Sequence, residues 1–154
     1  MSKKNDIEQA LLKGGELPKA LLKQEEDLSK AAKVQGLAVF TADCSKARNL
    51  SALLRAFAKA VDYPVFFGKD IDSLLDCLKE TLAEQKQGYL LLVHEIHSGD
   101  PDLKEDVNLV LEVLHEAAMY APKVGKTIAY LVNHVGKHRP PEPGRGPQGY
   151  TDVE

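Results

Sequence analysis

Three short apolar runs decide what this chain can fold into. They are Gly36-Leu37-Ala38-Val39-Phe40-Thr41, Tyr89-Leu90-Leu91-Leu92-Val93-His94 and Thr127-Ile128-Ala129-Tyr130-Leu131-Val132. Each has the length of a strand and reads as buried. The second does not alternate apolar with polar residues, which suits a strand covered on both faces or central in a sheet. The segments between them repeat apolar residues at helical spacing. Leu50, Leu53, Leu54, Phe57 and Val61 mark a helix over 49–61, with Asn49 as its N-cap. Ile71, Leu74, Leu75, Leu78 and Leu82 mark a second over 71–85, capped by Asp70. Leu103, Val107, Val110, Leu111, Leu114 and Ala118 mark a third over 102–121, opened by Asp100-Pro101 and ended by Pro122 and Gly125. Strands joined through helices of this length pair in parallel, with right-handed crossovers. The expected fold is α/β: a small three-stranded parallel sheet packed by about three or four helices.

Both ends of the chain differ from this central part. Residues 5–33 carry Ile7, Leu11, Leu12, Leu17, Leu21, Leu22 and Leu28 at amphipathic spacing, broken by Gly14-Gly15 and Pro18. The segment is rich in Lys and Glu and has no aromatic residue. It reads as an accessory helical extension, held down weakly or by a partner. Residues 136–154 concentrate proline and glycine without apolar periodicity and read as a disordered tail. The expected organisation is a helical extension over 1–35, an α/β domain over 36–134 and a Pro/Gly-rich tail over 135–154.

At 154 residues, 44% hydrophobic and 28% charged, the chain has ordinary globular composition. The net charge of -3 says little, but its distribution says more. Residues 36–134 hold 10 Lys/Arg against 14 Asp/Glu, whereas the two flanks are nearly balanced. The acidity lies where it would steer a basic partner. Cys44 and Cys77 form no Cys-x-x-Cys pair. No run is long and apolar enough to span a bilayer, and the mixed-charge start lacks an apolar signal core. The expected setting is the cytoplasm, with both thiols reduced.

Catalytic signatures are missing. There is no Gly-x-Ser-x-Gly elbow, P-loop or Gly-x-Gly-x-x-Gly after a strand. Cys77 lies on an acidic helix, which raises a thiol pKa, the wrong direction for a nucleophile. His94-Glu95-Ile96-His97 follows the second strand, and His134 and His138 follow the third. Carboxyl ends of parallel strands converge, so zinc is conceivable there. His-x-x-His is a loose pattern without cysteine support, and these histidines read more simply as surface loop residues. The chain is expected to be no enzyme and to carry no cofactor and no metal.

The stretch that points to a function is Tyr63-Pro64-Val65-Phe66-Phe67-Gly68-Lys69-Asp70-Ile71-Asp72-Ser73-Leu74-Leu75-Asp76-Cys77-Leu78. An aromatic pair sits in a Pro- and Gly-bounded loop. A helix with Asp70, Asp72 and Asp76 in its first two turns comes directly after it. Asp72 and Asp76 are four apart and share one face. Their repulsion is offset by the macrodipole at a helix N-terminus, so a solvated, helix-stabilising face is the plain reading. Phe66 and Phe67 beside them suggest instead an interface anchor ringed by carboxylates. At least one of the two is expected to pack under the helix. Gly68 permits a positive φ or a close backbone approach. On the later helix Glu105, Glu112 and Glu116, with Asn108 and His115 nearby, lie opposite the apolar stripe.

The order and residue types from Phe66 to Leu78 resemble the barstar family of intracellular ribonuclease inhibitors. Phe66-Phe67-Gly68 matches the family's aromatic pair and glycine, and Ile71, Asp72, Asp76, Cys77 and Leu78 match the helical part of its motif. The similarity runs through the strand at 89–93 and Leu114-His115-Glu116-Ala117 to the strand at 127–132, covering about residues 36–133. The resemblance implies a barstar-like fold and an inhibitor of guanyl-preferring ribonucleases that plugs their active site with this helix. It places Asp76 as the central anion, Asp72 and Glu116 as supporting charges, Phe66 over the catalytic site and Gly68 at the close approach. Phe66 lacks the hydroxyl of the family's frequent Tyr, Leu75 stands where the family often has Trp, and Lys69 is positive where the best-known member is acidic. The expected partner is a basic ribonuclease or another basic protein, with no direct nucleic-acid or membrane contact. The alternative is a non-inhibitory binding module of the same fold. A metal-binding or hydrolytic protein using the histidines is a weaker third.

Overall fold

The computed structural model describes residues 3–62 and 70–136. The α/β reading holds, with one more strand than expected. In chain order the elements are α1 (Lys3–Lys13), β1 (Gly15–Glu16), a 3-10 segment (Lys19–Gln24), α2 (Glu25–Val34), β2 (Ala38–Asp43), α3 (Leu50–Ala60), α4 (Ile71–Glu84), β3 (Gly88–Ile96), α5 (Lys104–Tyr120), a 3-10 turn (Ala121–Val124) and β4 (Thr127–His134). The sheet is four-stranded in the order β1-β4-β3-β2, and every pair is parallel. The extra strand comes from the N-terminal extension. Gly15 and Glu16 pair with Ala129 and Tyr130, and Leu17 N donates to Tyr130 O at 2.8 Å.

β3 is the central apolar strand that its sequence implied. Its residues Gly88 through Val93 are all buried, because helices cover both faces of the sheet. Side chains alternate between two cores. Tyr89, Leu91 and Val93 face α3, α4 and α5, among Leu53, Leu54, Phe57, Leu74, Leu78, Val107, Val110 and Leu114. Leu90 and Leu92 face the other way, with Leu37, Ala129 and Leu131. The N-terminal segment closes that second side: Ile7, Leu11, Leu17, Leu21, Leu28, Ala31 and Ala32 are all buried there. The extension is therefore not weakly held. It is half of the cover that a two-sided parallel sheet requires, and its own chain supplies the docking face.

Local chemistry sets most boundaries as the sequence implies. Asn49 Oδ1 accepts from Ala52 N at 2.8 Å and opens α3. Gly125, at φ 74°, ends the turn after α5. The start of α5 differs. Asp100 Oδ1 accepts from Asp102 N at 3.0 Å and its carbonyl accepts from Leu103 N, so 100–103 form a turn and the helix begins at Lys104. The reading of 136–154 as a tail lies, from residue 137, outside the described residues.

Candidate partner-binding face

α4 is fixed to the domain by its own side chains. Asp70 accepts from Asp72 N at 3.0 Å and Ser73 N at 3.4 Å, and Ser73 Oγ donates back to its other oxygen at 2.9 Å. Deeper in the helix, Tyr89 from β3 donates its hydroxyl to Leu78 O at 3.0 Å. At the far end, Lys126 Nζ donates to Leu82 O at 3.0 Å and so neutralises the helix C-terminus. Leu74, Cys77, Leu78, Thr81 and Leu82 face the core. Asp72 and Asp76 are consequently exposed.

The position of Lys126 at the foot of β4 shows that α4 ends at the amino edge of the sheet. α5 ends at the same edge, since it leads directly into β4, so the two helices run parallel. Lys79 Nζ stands 4.5 Å from the centre of the Tyr120 ring, a cation–π contact that joins the two helices. One turn before Lys79 is Asp76, and one turn before Tyr120 is Glu116. Asp76 and Glu116 thus each stand one turn before a partner of this contact, on neighbouring parallel helices, both exposed, with Asp72 one turn further up α4. Periodicity placed each carboxylate on its own helix but contains no information about which helices are neighbours. Phe66 and Gly68, together with Phe67, lie outside the described residues.

The cysteines are not part of the face. Burial pushes the Cys44 thiol up to about 12 and the Cys77 thiol likewise up to about 12, so neither forms a thiolate at neutral pH. A separate groove of about 400 Å3 lies on the opposite side of the sheet, between α1 and α2, lined by residues including Ile7, Asp27, Lys30 and Val34.

Three of the described histidines, His94, His97 and His134, hold the carboxyl ends of the strands to neighbouring segments, whereas His115 is exposed on α5. His94 Nε2 lies 2.5 Å from Glu25 Oε2 and ties β3 to the start of α2. His97 lies between the Ser45 and Gly136 carbonyls. Ser98 Oγ stands 2.6 Å from His134 Nδ1. Among the described residues no group of three or more His, Cys, Asp or Glu could hold a metal ion. His138 lies outside them. Desolvation by burial, followed by the nearby Lys19 charge, holds the His134 pKa below its ordinary value, with Glu16 opposing. A histidine lowered on folding favours the neutral native form. Its contribution is complete above the ordinary histidine range and is lost as pH falls through that range toward the native value. The wild-type melting temperature is therefore expected to drop more between pH 7.5 and 5.5 than that of His134→Asn. Parallel melting-temperature profiles for the two proteins would remove this assignment.

The family model of barstar, the barnase inhibitor, matches residues 37–133. The chain belongs to the barstar family. Barstar-family proteins are inhibitors of ribonuclease, not catalysts, in line with the missing catalytic signatures of the sequence. The matched span takes in β2, β3, α3, α4 and α5 and most of β4, and leaves out the whole N-terminal layer. No curated protein matches the chain. Among solved structures, the ORC2 protein of Aeropyrum pernix, in its ADPNP–ADP complexes, is 19% identical with a TM-score of 0.58, over 98% of this chain and 44% of that one. At that identity the likeness is one of fold, and this chain spans less than half the length of that protein.

Proposed function

We propose that this protein inhibits a guanyl-preferring ribonuclease in the cytoplasm by inserting the first turns of α4 into its active site, with Asp76 as the central anion. The observation that carries the reading is the exposure of Asp76 and Glu116, each one turn before the Lys79–Tyr120 contact that joins their helices, with Asp72 one turn further up α4. Three exposed carboxylates in that arrangement suit a cleft whose cations otherwise hold RNA phosphates, where they make charge-assisted hydrogen bonds. Complementary fields also speed the encounter of an acidic face with a basic enzyme. In this reading Phe66 and Gly68 contribute from the preceding loop.

Calorimetric titration against barnase, beside a cleavage assay, tests it. One-to-one binding with loss of RNA cleavage is expected. Asp76→Ala should lose on the order of a hundredfold in affinity, about 3 kcal/mol, because it leaves the enzyme's cations buried and unpaired. Its circular dichroism should not change, since Asp76 is exposed. Equal inhibition by both proteins would end the proposed role of Asp76. A second reading is that the same exposed carboxylates recognise another basic protein without inhibiting a ribonuclease, with Lys79 beside them opposing the close approach of a cation-rich cleft. Binding without loss of cleavage selects it.

A further inference from the structure

β2 is an outer strand, and no described residue pairs with its far edge. Among the described residues it pairs with β3 alone, in an unbroken register from Ala38 to Asp43. Cys44 N donates to His94 O at 2.9 Å. Alternate residues of a strand turn their backbone groups the same way, so Ala38, Phe40 and Ala42 also bond toward β3. Val39, Thr41 and Asp43 present N–H and C=O groups to the far edge. Such an edge templates a further strand unless lysine, proline, a bulge or a covering segment blocks it. The six residues Ala-Val-Phe-Thr-Ala-Asp include none of these devices, and their one charge is at the end.

We propose that this edge is a dimer interface: a second copy adds its own β2 in antiparallel fashion, about a two-fold axis through Thr41. The two sheets then join into one continuous sheet. Under a two-fold axis the same patch meets itself, and the edge is suited to that. With the axis at Thr41 all three of these residues are used: Thr41 faces Thr41 of the second copy, and Val39 faces Asp43. A Thr–Thr pair is a favourable cross-strand contact, and no like charges stand opposite. On the other face the half-buried Phe40 stands across from the small Ala42. Neighbouring registers are spoiled by groups already engaged. A shift one way sets Asp43 against Leu37, whose N–H donates to Ala32 O at 2.9 Å. The opposite shift sets Val39 against Ser45, whose N–H donates to Asp43 Oδ1 at 3.0 Å. β2 carries none of the carboxylates of the α4–α5 face, so this inference stands apart from the inhibitor reading.

Thr41→Cys in the full chain tests the axis. Opposed hydrogen-bonded residues of an antiparallel pair have Cα atoms about 5.5 Å apart, within disulfide reach. Both native cysteines are fully buried and give no background. Under mild oxidation Thr41→Cys is expected to form a covalent dimer at least about tenfold faster than Val39→Cys or Asp43→Cys, neither of which meets its own copy. Sedimentation of the wild type should show mass rising with concentration toward two chains. Thr41→Lys, which opposes two like charges at the axis, should stay monomeric, and should melt at the wild-type temperature at concentrations low enough for the wild type to be monomeric too. A wild type that stays monomeric at the highest soluble concentration would overturn the proposal. So would fastest cross-linking at residue 39 or 43, or self-association that survives Thr41→Lys. Failure to bind barnase would leave this result unaffected.

Discussion

A chain that begins at residue 36 is expected to lose the cooperative fold. The span that defines the barstar family here starts at residue 37, yet among the described residues one side of its sheet is covered from outside that span. Removing residues 1–35 strips Ile7, Leu11, Leu17, Leu21 and Leu28 from Leu37, Leu90, Leu92, Ala129 and Leu131. Each buried aliphatic side chain contributes roughly 1.5–3 kcal/mol gross. Five of them exceed the whole net stability of a typical domain, about 5–15 kcal/mol, once the newly exposed sheet face is added. The truncation also removes β1 from the edge of β4 and Glu25 from His94. The 36–154 chain should bind a hydrophobic dye, keep some helical circular dichroism and melt without a sharp transition. A single cooperative urea transition at the wild-type midpoint would show instead that the N-terminal layer is dispensable.

Gly88→Ala is the most damaging single substitution the structure points to. Gly88 opens β3 at φ 125°, a backbone region that side-chain-bearing residues rarely adopt. A Cβ there would stand 1.8 Å from Thr127 O and 2.7 Å from Thr127 C, the backbone of the strand it pairs with. Relief requires β3 and β4 to separate at their first residues, where Thr127 N also donates to Gln87 O. Strain and overpacking together should cost about 3 kcal/mol or more. Gly125→Ala is the control: its φ is 74°, and a Cβ there meets nothing within 4 Å, so only about 1 kcal/mol is expected. Equilibrium urea unfolding compares the two. A Gly88→Ala midpoint equal to that of Gly125→Ala would refute the steric argument.

The parts legible in the sequence are those that local chemistry determines. Apolar runs gave β2, β3 and β4 because burial on both faces needs few polar residues. Asn49 and Asp70 gave helix starts because an unpaired N–H at a helix end calls for a nearby oxygen. β1 was not legible: Gly15-Glu16 has neither length nor period, and it is a strand only because β4 lies beside it. The amphipathic stripe of residues 5–33 showed that something must cover Leu11 and Leu28, but a stripe does not name its target. The same holds for the candidate face. A spacing of four put Asp72 and Asp76 together, whereas the helix that carries Glu116 is brought beside theirs by tertiary contacts such as that of Lys79 with Tyr120, two residues 41 positions apart.

The pairing of Gly15 with Ala129 has a consequence for the order of assembly. The first strand of the chain takes its place beside the last. While the polypeptide is being synthesised, β1 has no edge to pair with until residues near 130 have emerged, although α2 can meet β2 and β3 sooner. Local helices form early, but closing so long a loop is slow and its entropy cost precedes any reward from contact. The bond from Leu17 N to Tyr130 O, which anchors the extension to the sheet, is therefore missing for most of translation. The step that completes the molecule is a late meeting of its two ends.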